Sequence, residues 1–269
     1  MKQYIFKFSN WLIITFLFSS CEKVIDINLN SSDPKIVVEA EISDQSFCKV
    51  QLTQTVNFSE SNTFPAVTGA IVRISDNSGN SETLTETTQG IYSGDTLQGI
   101  SGRTYTLEVN ADGKTYSAIS TMFSPVSIDT LFIEKSSGGL MGGESKFVSV
   151  QFKDPAGVNN YYRFIQIINS IEQNSIIIDA DVLKDGNTII RPLHSQDSNS
   201  SDLQTGDLVT VLLLTIDKGA FDYFRTFNQL SGGKGLSASS PANPLSNFSN
   251  GALGYFSAYA VRSKAIVIH

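Results

Sequence analysis

From Lys35 onward, apolar side chains recur at every second position, and each run stops at a turn-forming residue within about ten positions. Ile36, Val38, Ala40 and Ile42 fall on one face of an extended chain, while Lys35, Glu39 and Glu41 fall on the other. That is the period of a half-buried strand. Cys48, Val50 and Leu52 repeat it, and so do Ala70, Val72 and Ile74. Asn77-Ser78-Gly79-Asn80 supplies turn chemistry ahead of a strand over 81–87. Gly90, Gly94, Gly99 and Gly102 punctuate the next segments. Tyr105, Leu107 and Val109 then face Tyr116 and Ala118 across Asp112-Gly113, a two-residue hairpin signal. Short strands with turns every eight to twelve residues or so predict an immunoglobulin- or fibronectin-like sandwich over 35–122. The paired cysteines and tryptophan of a true immunoglobulin domain are absent from this stretch, so only the architecture is expected.

Ser124-Pro125 marks a boundary, and residues 123–269 read as a second β-sandwich or barrel-like domain. Leu131 and Ile133 open it, followed by a glycine-rich loop over 136–144. Strand patterns cover 147–152, 161–168 and 175–184, and Asp185-Gly186 turns the last of these into 188–191. Residues 208–216 are nearly all apolar, which predicts a strand covered on both faces. One short helix stands out. Asp217 caps it, Ala220, Phe224, Phe227 and Leu230 recur at helical spacing with Phe221 beside them, and Gly232-Gly233 ends it. Its aromatic stripe reads as a lid on a β core. A long polar loop over 235–250 follows, then a last strand over 255–261 and 265–268, bent or interrupted near 262–264.

The amino terminus carries a different signal. Lys2 and Lys7 precede an apolar run over 8–18, then Ser19 and Ser20, then Cys21. This order is that of a secretory signal peptide over 1–20. The cysteine directly after the small residues adds lipoprotein processing, with the Cys21 thiol acylated and a polar tether over 21–34. Phe18 departs from the leucine common at that point. The apolar run is too short for a stable bilayer span, so the acyl chains supply the membrane attachment. Cleavage removes two lysines and moves the formal net charge from −7 to −9. An acidic chain without clustered Lys/Arg has no means of holding phosphate backbones, which excludes nucleic acid as a partner.

Signatures of chemistry are sparse. The two histidines are His194, in a polar loop, and His269. No HExxH or CxxC pair, GxxxxGK[ST] or GxGxxG motif occurs. Asp179 and Asp181 share one side of a strand, as a glycosidase pair could, but Ile176, Ile178, Ala180 and Val182 opposite make that side read as solvent-facing. Asp154, Asp197 and Asp202 fall in predicted loops and could join a calcium site, but no DxDxDG loop with its distal Glu is present. Cys48, with Cys21 spent on lipid, reads as a small core residue. The sequence thus assigns no catalytic residue, cofactor or metal. Tyr161-Tyr162 and Tyr255-Phe256 with Tyr259 place rings on both strand faces, and exposed rings would suit a partner or ligand. The loop over 235–250 is longer than an ordinary connection. With the residues that follow, it is the place to expect a partner or ligand, at Asn243, Pro244, Asn250, Gly251, Leu253, Gly254, Tyr255 and Phe256.

Several stretches together resemble a known family. They are Phe18-Ser-Ser-Cys21-Glu22; Val67-Thr-Gly-Ala-Ile-Val-Arg-Ile-Ser-Asp76; Gly90-Ile-Tyr-Ser-Gly94; Gly102-Arg-Thr-Tyr-Thr-Leu-Glu-Val109 with Asp112-Gly-Lys-Thr-Tyr116; and the distinctive run from Asn243 to Tyr259. The chain resembles a family of Bacteroidetes outer-membrane lipoproteins known only as a domain of unknown function, whose members tend to be encoded beside TonB-dependent receptors. The resemblance implies a lipid-anchored outer-membrane protein, facing the surface or the periplasm, that assists such a transporter in substrate capture or assembly. The alternative reading is a free-standing surface module that binds or adheres through its loops.

Overall fold

The computed structural model describes residues 33–57, 63–137, 144–182, 184–194, 203–231 and 243–269. The expected signal peptide, Cys21 and the tether up to residue 32 lie outside them, as do Asp197, Asp202, Gly232-Gly233 and the start of the long loop. Residues Pro34–His269 form one compact unit.

The strands, in chain order, are β1 (Ile36–Ser43), β2 (Ser46–Gln54), β3 (Ile71–Asp76), β4 (Ser81–Thr83), β5 (Thr85–Thr88), β6 (Ile91–Gln98), β7 (Thr104–Ala111) and β8 (Lys114–Thr121). The second half adds β9 (Ile128–Ser137), β10 (Glu144–Lys153), β11 (Tyr161–Ile168), β12 (Ile171–Glu172), β13 (Ile177–Ala180), β14 (Thr188–Leu193), β15 (Leu208–Ile216) and β16 (Leu253–Val267). The helix α1 (Lys218–Ser231) lies between β15 and β16 in the chain. The protein is mainly β, as its alternation predicts, and its sheets are open rather than closed into a barrel.

One long sheet runs β12-β11-β15-β16-β1-β2-β6-β5, with β13 also paired to β11. Two smaller sheets, β4-β3-β7-β8 and β14-β10-β9, complete the architecture. The last strand therefore sits in the middle of the long sheet, antiparallel to β15 and parallel to β1. The stretches 35–122 and 123–269 share this sheet, so the boundary expected near Ser124 divides the sequence but does not divide the sheet. The pairing of β1 with β16 joins them.

Side-chain alternation on β16 shows how the layers are arranged. Phe256, Ala258 and Ala260 enter a core with Val38, Leu52, Ile74, Leu107 and Tyr105. Further along the same face, Ile266 and Ile268 meet Phe152, Tyr162, Phe164 and Val211 in a second core. Both small sheets thus cover one face of the long sheet. The opposite face carries Tyr255, Tyr259 and Val261, which pack with Leu214, Ile216 and α1. β15 is covered on both faces, as its continuous apolar run requires. Phe152 and Tyr162 meet edge to face with centroids 4.8 Å apart. Burying each such ring stabilises the fold by about 1.5–3 kcal/mol.

Local chemistry accounts for several joints. Asp112 and Gly113 both have positive φ (50° and 72°) in the β7–β8 hairpin, which places Val109 opposite Tyr116 and Leu107 opposite Ala118. The strand expected over 81–87 is divided at buried Leu84, so that β4 joins a small sheet and β5 the long one. Of the bend or interruption expected in the last strand near 262–264, the interruption is absent. β16 continues because its ladder with β15 is unbroken there, while Arg262 pairs with Asp44 at 2.7 Å and Lys264 donates to the Asp129 carbonyl. Asp217 caps α1 by accepting the Ala220 N–H at 2.9 Å, and it also accepts the Thr121 N–H at 3.2 Å.

Candidate functional site: an aromatic groove beside the helix

On the helix side of the long sheet, four elements converge. β1 presents Glu39 and Glu41, β11 presents Arg163, β16 presents Tyr255 and Tyr259, and α1 presents Tyr223, Phe224 and Phe227. Each set follows from period-two alternation on the strands and from helical spacing on α1. The stripe on α1 only partly works as a lid. Ala220, Tyr223 and Phe224 are buried, but Phe227 and Leu230 remain 36% and 44% exposed.

Glu41 is the polar centre. Its carboxylate accepts the Tyr255 hydroxyl at 2.7 Å, the Tyr259 hydroxyl at 3.4 Å and Arg163 Nη1 at 3.3 Å. The Arg163 guanidinium also lies 4.2 Å from the Phe224 ring centroid, a cation–π contact. The Tyr255 ring lies 4.8 Å from both Tyr223 and Phe224. Burial, reinforced by the Glu41 charge, pushes the Tyr255 and Tyr259 hydroxyls well above the ordinary tyrosine range. Burial and Glu39 push Tyr223 up to about 12. All three therefore stay neutral at physiological pH, and Tyr255 and Tyr259 serve as hydrogen-bond donors. Crowding by its surroundings, and then the Glu41 charge, raise the Glu39 carboxyl as well.

Beside this cluster lies a hollow of about 300 Å³, lined by Glu39, Arg163, Asn174, Tyr223, Phe227 and Tyr255 among others. A second hollow of about 310 Å³ is lined by Arg191, Pro192, His194 and Asn228. The two share Asn174, Ser175, Ile176 and Phe227, so together they form one groove along the exposed half of α1. Each end holds an arginine, Glu39 and Glu172 line the Arg163 end as well, and the shared middle sets Ile176 and Phe227 beside Asn174 and Ser175. Arg191 donates from Nη2 to the Ile178 carbonyl at 3.3 Å, while its Nε is buried without a hydrogen-bond partner. His194, expected as a solvated loop residue, is exposed at the end of β14 and sits edge-on to Phe147 at 5.4 Å. Such a groove can stack a flat or apolar group and receive negative charge at the Arg191 end, since Arg163 is already paired with Glu41.

The residues singled out in the sequence scatter. Asn243 is exposed and Pro244 half-buried, just before Leu245, whose N–H donates to Thr226 Oγ1 on α1 at 2.9 Å. Asn250 and Gly251 form a turn with positive φ, and Asn250 donates to the Thr115 carbonyl of β8 at 2.7 Å. Leu253 begins β16 and is half-buried, and Gly254 presses against β1. Tyr255 lines the groove, whereas Phe256 is fully buried in the first core on the opposite face.

The side expected to face solvent at Asp179 and Asp181 is covered. Ile177 and Asp181 are buried at 7% exposure each, and Val182 is 71% exposed. β13 is paired to β11, with Ile177 entering the second core and Ile176 and Ile178 turned to the helix cluster, so neither face is open water. The groove's own residues were missed because Glu39 and Glu41 read as the wet side of β1. One signal was available: Arg163 is the lone charge in the 161–168 stretch, and such a charge in a covered strand must find a partner.

No curated protein matches the chain. Residues 22–265 match the family described as Domain of unknown function (DUF4249), and the chain belongs to that family.

Proposed function

We propose that this protein is a non-enzymatic, lipid-anchored accessory subunit of a TonB-dependent importer in the outer membrane, and that the groove beside α1 captures substrate for it. The observation that carries the capture role is the groove itself, with Phe227 and Ile176 beside Asn174 and Ser175 at its middle and an arginine at each end. It is mounted on covered strands and a capped helix, so its side chains are held in place before a ligand arrives, which reduces the cost of binding. Anchorage is supported by the apolar run, Ser19-Ser20 and Cys21. The transporter partner is supported by the resemblance of the sequence to lipoproteins encoded beside such receptors.

The test is co-isolation of the tagged, lipidated protein from outer membranes in mild detergent, followed by mass spectrometry. A TonB-dependent barrel recovered in near-stoichiometric amount is the expected result. Recovery of a well-behaved protein alone would contradict the importer role and favour a free-standing surface module.

A further inference from the structure

Away from the groove, three carboxylates meet where β10 ends and where β13 turns into β14. One oxygen from each of Asp154, Asp181 and Asp185 lies within 4.8 Å of those from the others. Asp154 is 1% exposed and tightly held. It accepts the Tyr162 hydroxyl and the Asn160 side-chain amide (3.3 Å) on one oxygen, and the Gly186 N–H (3.1 Å) on the other. Asp185 accepts the Gly157 N–H at 2.7 Å.

Asp181 is different. It is 93% buried by its 7% exposure, and its carboxylate has no hydrogen-bond or ion-pair partner among the described residues. Its backbone is pinned by an N–H bond to the Asn160 carbonyl at 3.2 Å, which holds the side chain over the other two acids. Lys184, in the same turn, pairs with Asp179 at 3.3 Å. Three carboxylates converge here, and the one with neither donor nor cation leaves room for an ion that the other two can share.

We infer that Asp154, Asp181 and Asp185 form a divalent-cation site of calcium type. The donor set is all oxygen, which selects a hard cation. The acids come from three points on two loops and form no octahedral cage, which suits the flexible coordination of Ca²⁺ better than the strict geometry of Mg²⁺. A hollow of about 470 Å³, lined by Asp181, Asp185, Gly157 and Asn159, adjoins the site and gives water access to complete the shell. The ion clamps the loop after β10 to the turn before β14. This site is independent of the groove and of the importer role. With three carboxylates, the expected affinity is that of an extracytoplasmic module, with a Kd of about 10⁻⁴–10⁻³ M.

The experiment uses the full-length lipidated protein in detergent, stripped with a chelator and titrated with Ca²⁺ while its thermal midpoint is followed. Tb³⁺ serves as a second probe, its emission excited through Tyr162, whose hydroxyl rests on Asp154. The expected result is a saturable rise in midpoint and a Tb³⁺ signal that Ca²⁺ displaces. Asp181→Asn should abolish both, and Asp185→Asn should weaken binding at least tenfold. Asp185 is exposed, so that variant decides the matter should Asp181→Asn fail to fold. No Ca²⁺-dependent shift, or a shift retained in Asp185→Asn at unchanged affinity, would overturn the inference.

Discussion

Replacing Gly254 with alanine should damage the whole fold, because the parallel pairing of β1 with β16 joins its two halves. Gly254 lies opposite Val38 with φ +92°, and a Cβ there would stand 2.0 Å from the Val38 carbonyl oxygen and 2.7 Å from its carbon. Two costs add. Holding a non-glycine residue at that φ costs about 1–3 kcal/mol. Moving β16 away from Val38 loses one or two ladder hydrogen bonds, at about 0.5–1.5 kcal/mol each. The total is about 1.5–6 kcal/mol, a large part of a typical stability of about 5–15 kcal/mol. Gly251 provides the control: its φ is +78°, but a Cβ would meet nothing within 4 Å, so alanine there should cost only about 1–2 kcal/mol of backbone strain. Urea unfolding of the two variants, read at unchanged m-value, isolates the close approach. If Gly254→Ala costs no more than Gly251→Ala, the tight parallel joint is wrong.

Other expectations can be checked on the same samples. Burial alone would raise the Asp76 carboxyl, but hydrogen bonds from Asn80, Ser78 and Arg103 hold it at about 2. Its folded pKa is depressed, so its contribution is present above the ordinary value near 3.8 and is lost as pH falls through about 2. Asp76→Asn should remove about 1–2 kcal/mol of stability at pH 7, after allowance for solvent screening, and less near pH 2, as acid titration of unfolding would report. Cys48 is 1% exposed and burial pushes its thiol far above the ordinary range, so it should resist a thiol reagent until denaturant is added. Arg163→Ala should cost about 1–3 kcal/mol by chemical unfolding, since it removes the contact with Phe224 and leaves Glu41 without its cation. Arg163→Lys should recover only part of this, because an ammonium cannot reproduce a guanidinium lying on a ring.

The strands were legible because covering a sheet on one face forces period-two alternation, and β1, β7, β8 and the two-sided β15 follow their patterns closely. The α1 cap at Asp217 was legible for the same local reason. What sequence could not convey was which strands meet. Nothing in residues 253–267 says that they run parallel to β1, since parallel pairing across more than two hundred residues leaves no local mark. The groove depends on that pairing: Glu41 becomes a hydrogen-bond hub only once β16 brings Tyr255 and Tyr259 beside it. Tyr255 was singled out because a ring on a strand is conspicuous, and Phe256 was singled out with it although adjacent strand residues face opposite ways. Asp181 was misplaced because the apolar residues at 176, 178, 180 and 182 imply one buried face, whereas β13 is covered on both.

Site-specific photo-crosslinking in intact cells tests the central claim most directly. A crosslinker at Phe227, on the rim of the groove, should capture a TonB-dependent barrel, because a captured substrate must be handed across that face. One at Ile190, which is 53% exposed on β14, should capture no barrel. Barrel adducts at Phe227 alone are the predicted result. No barrel adduct at either position, in cells where the protein is lipidated and folded, would contradict the account.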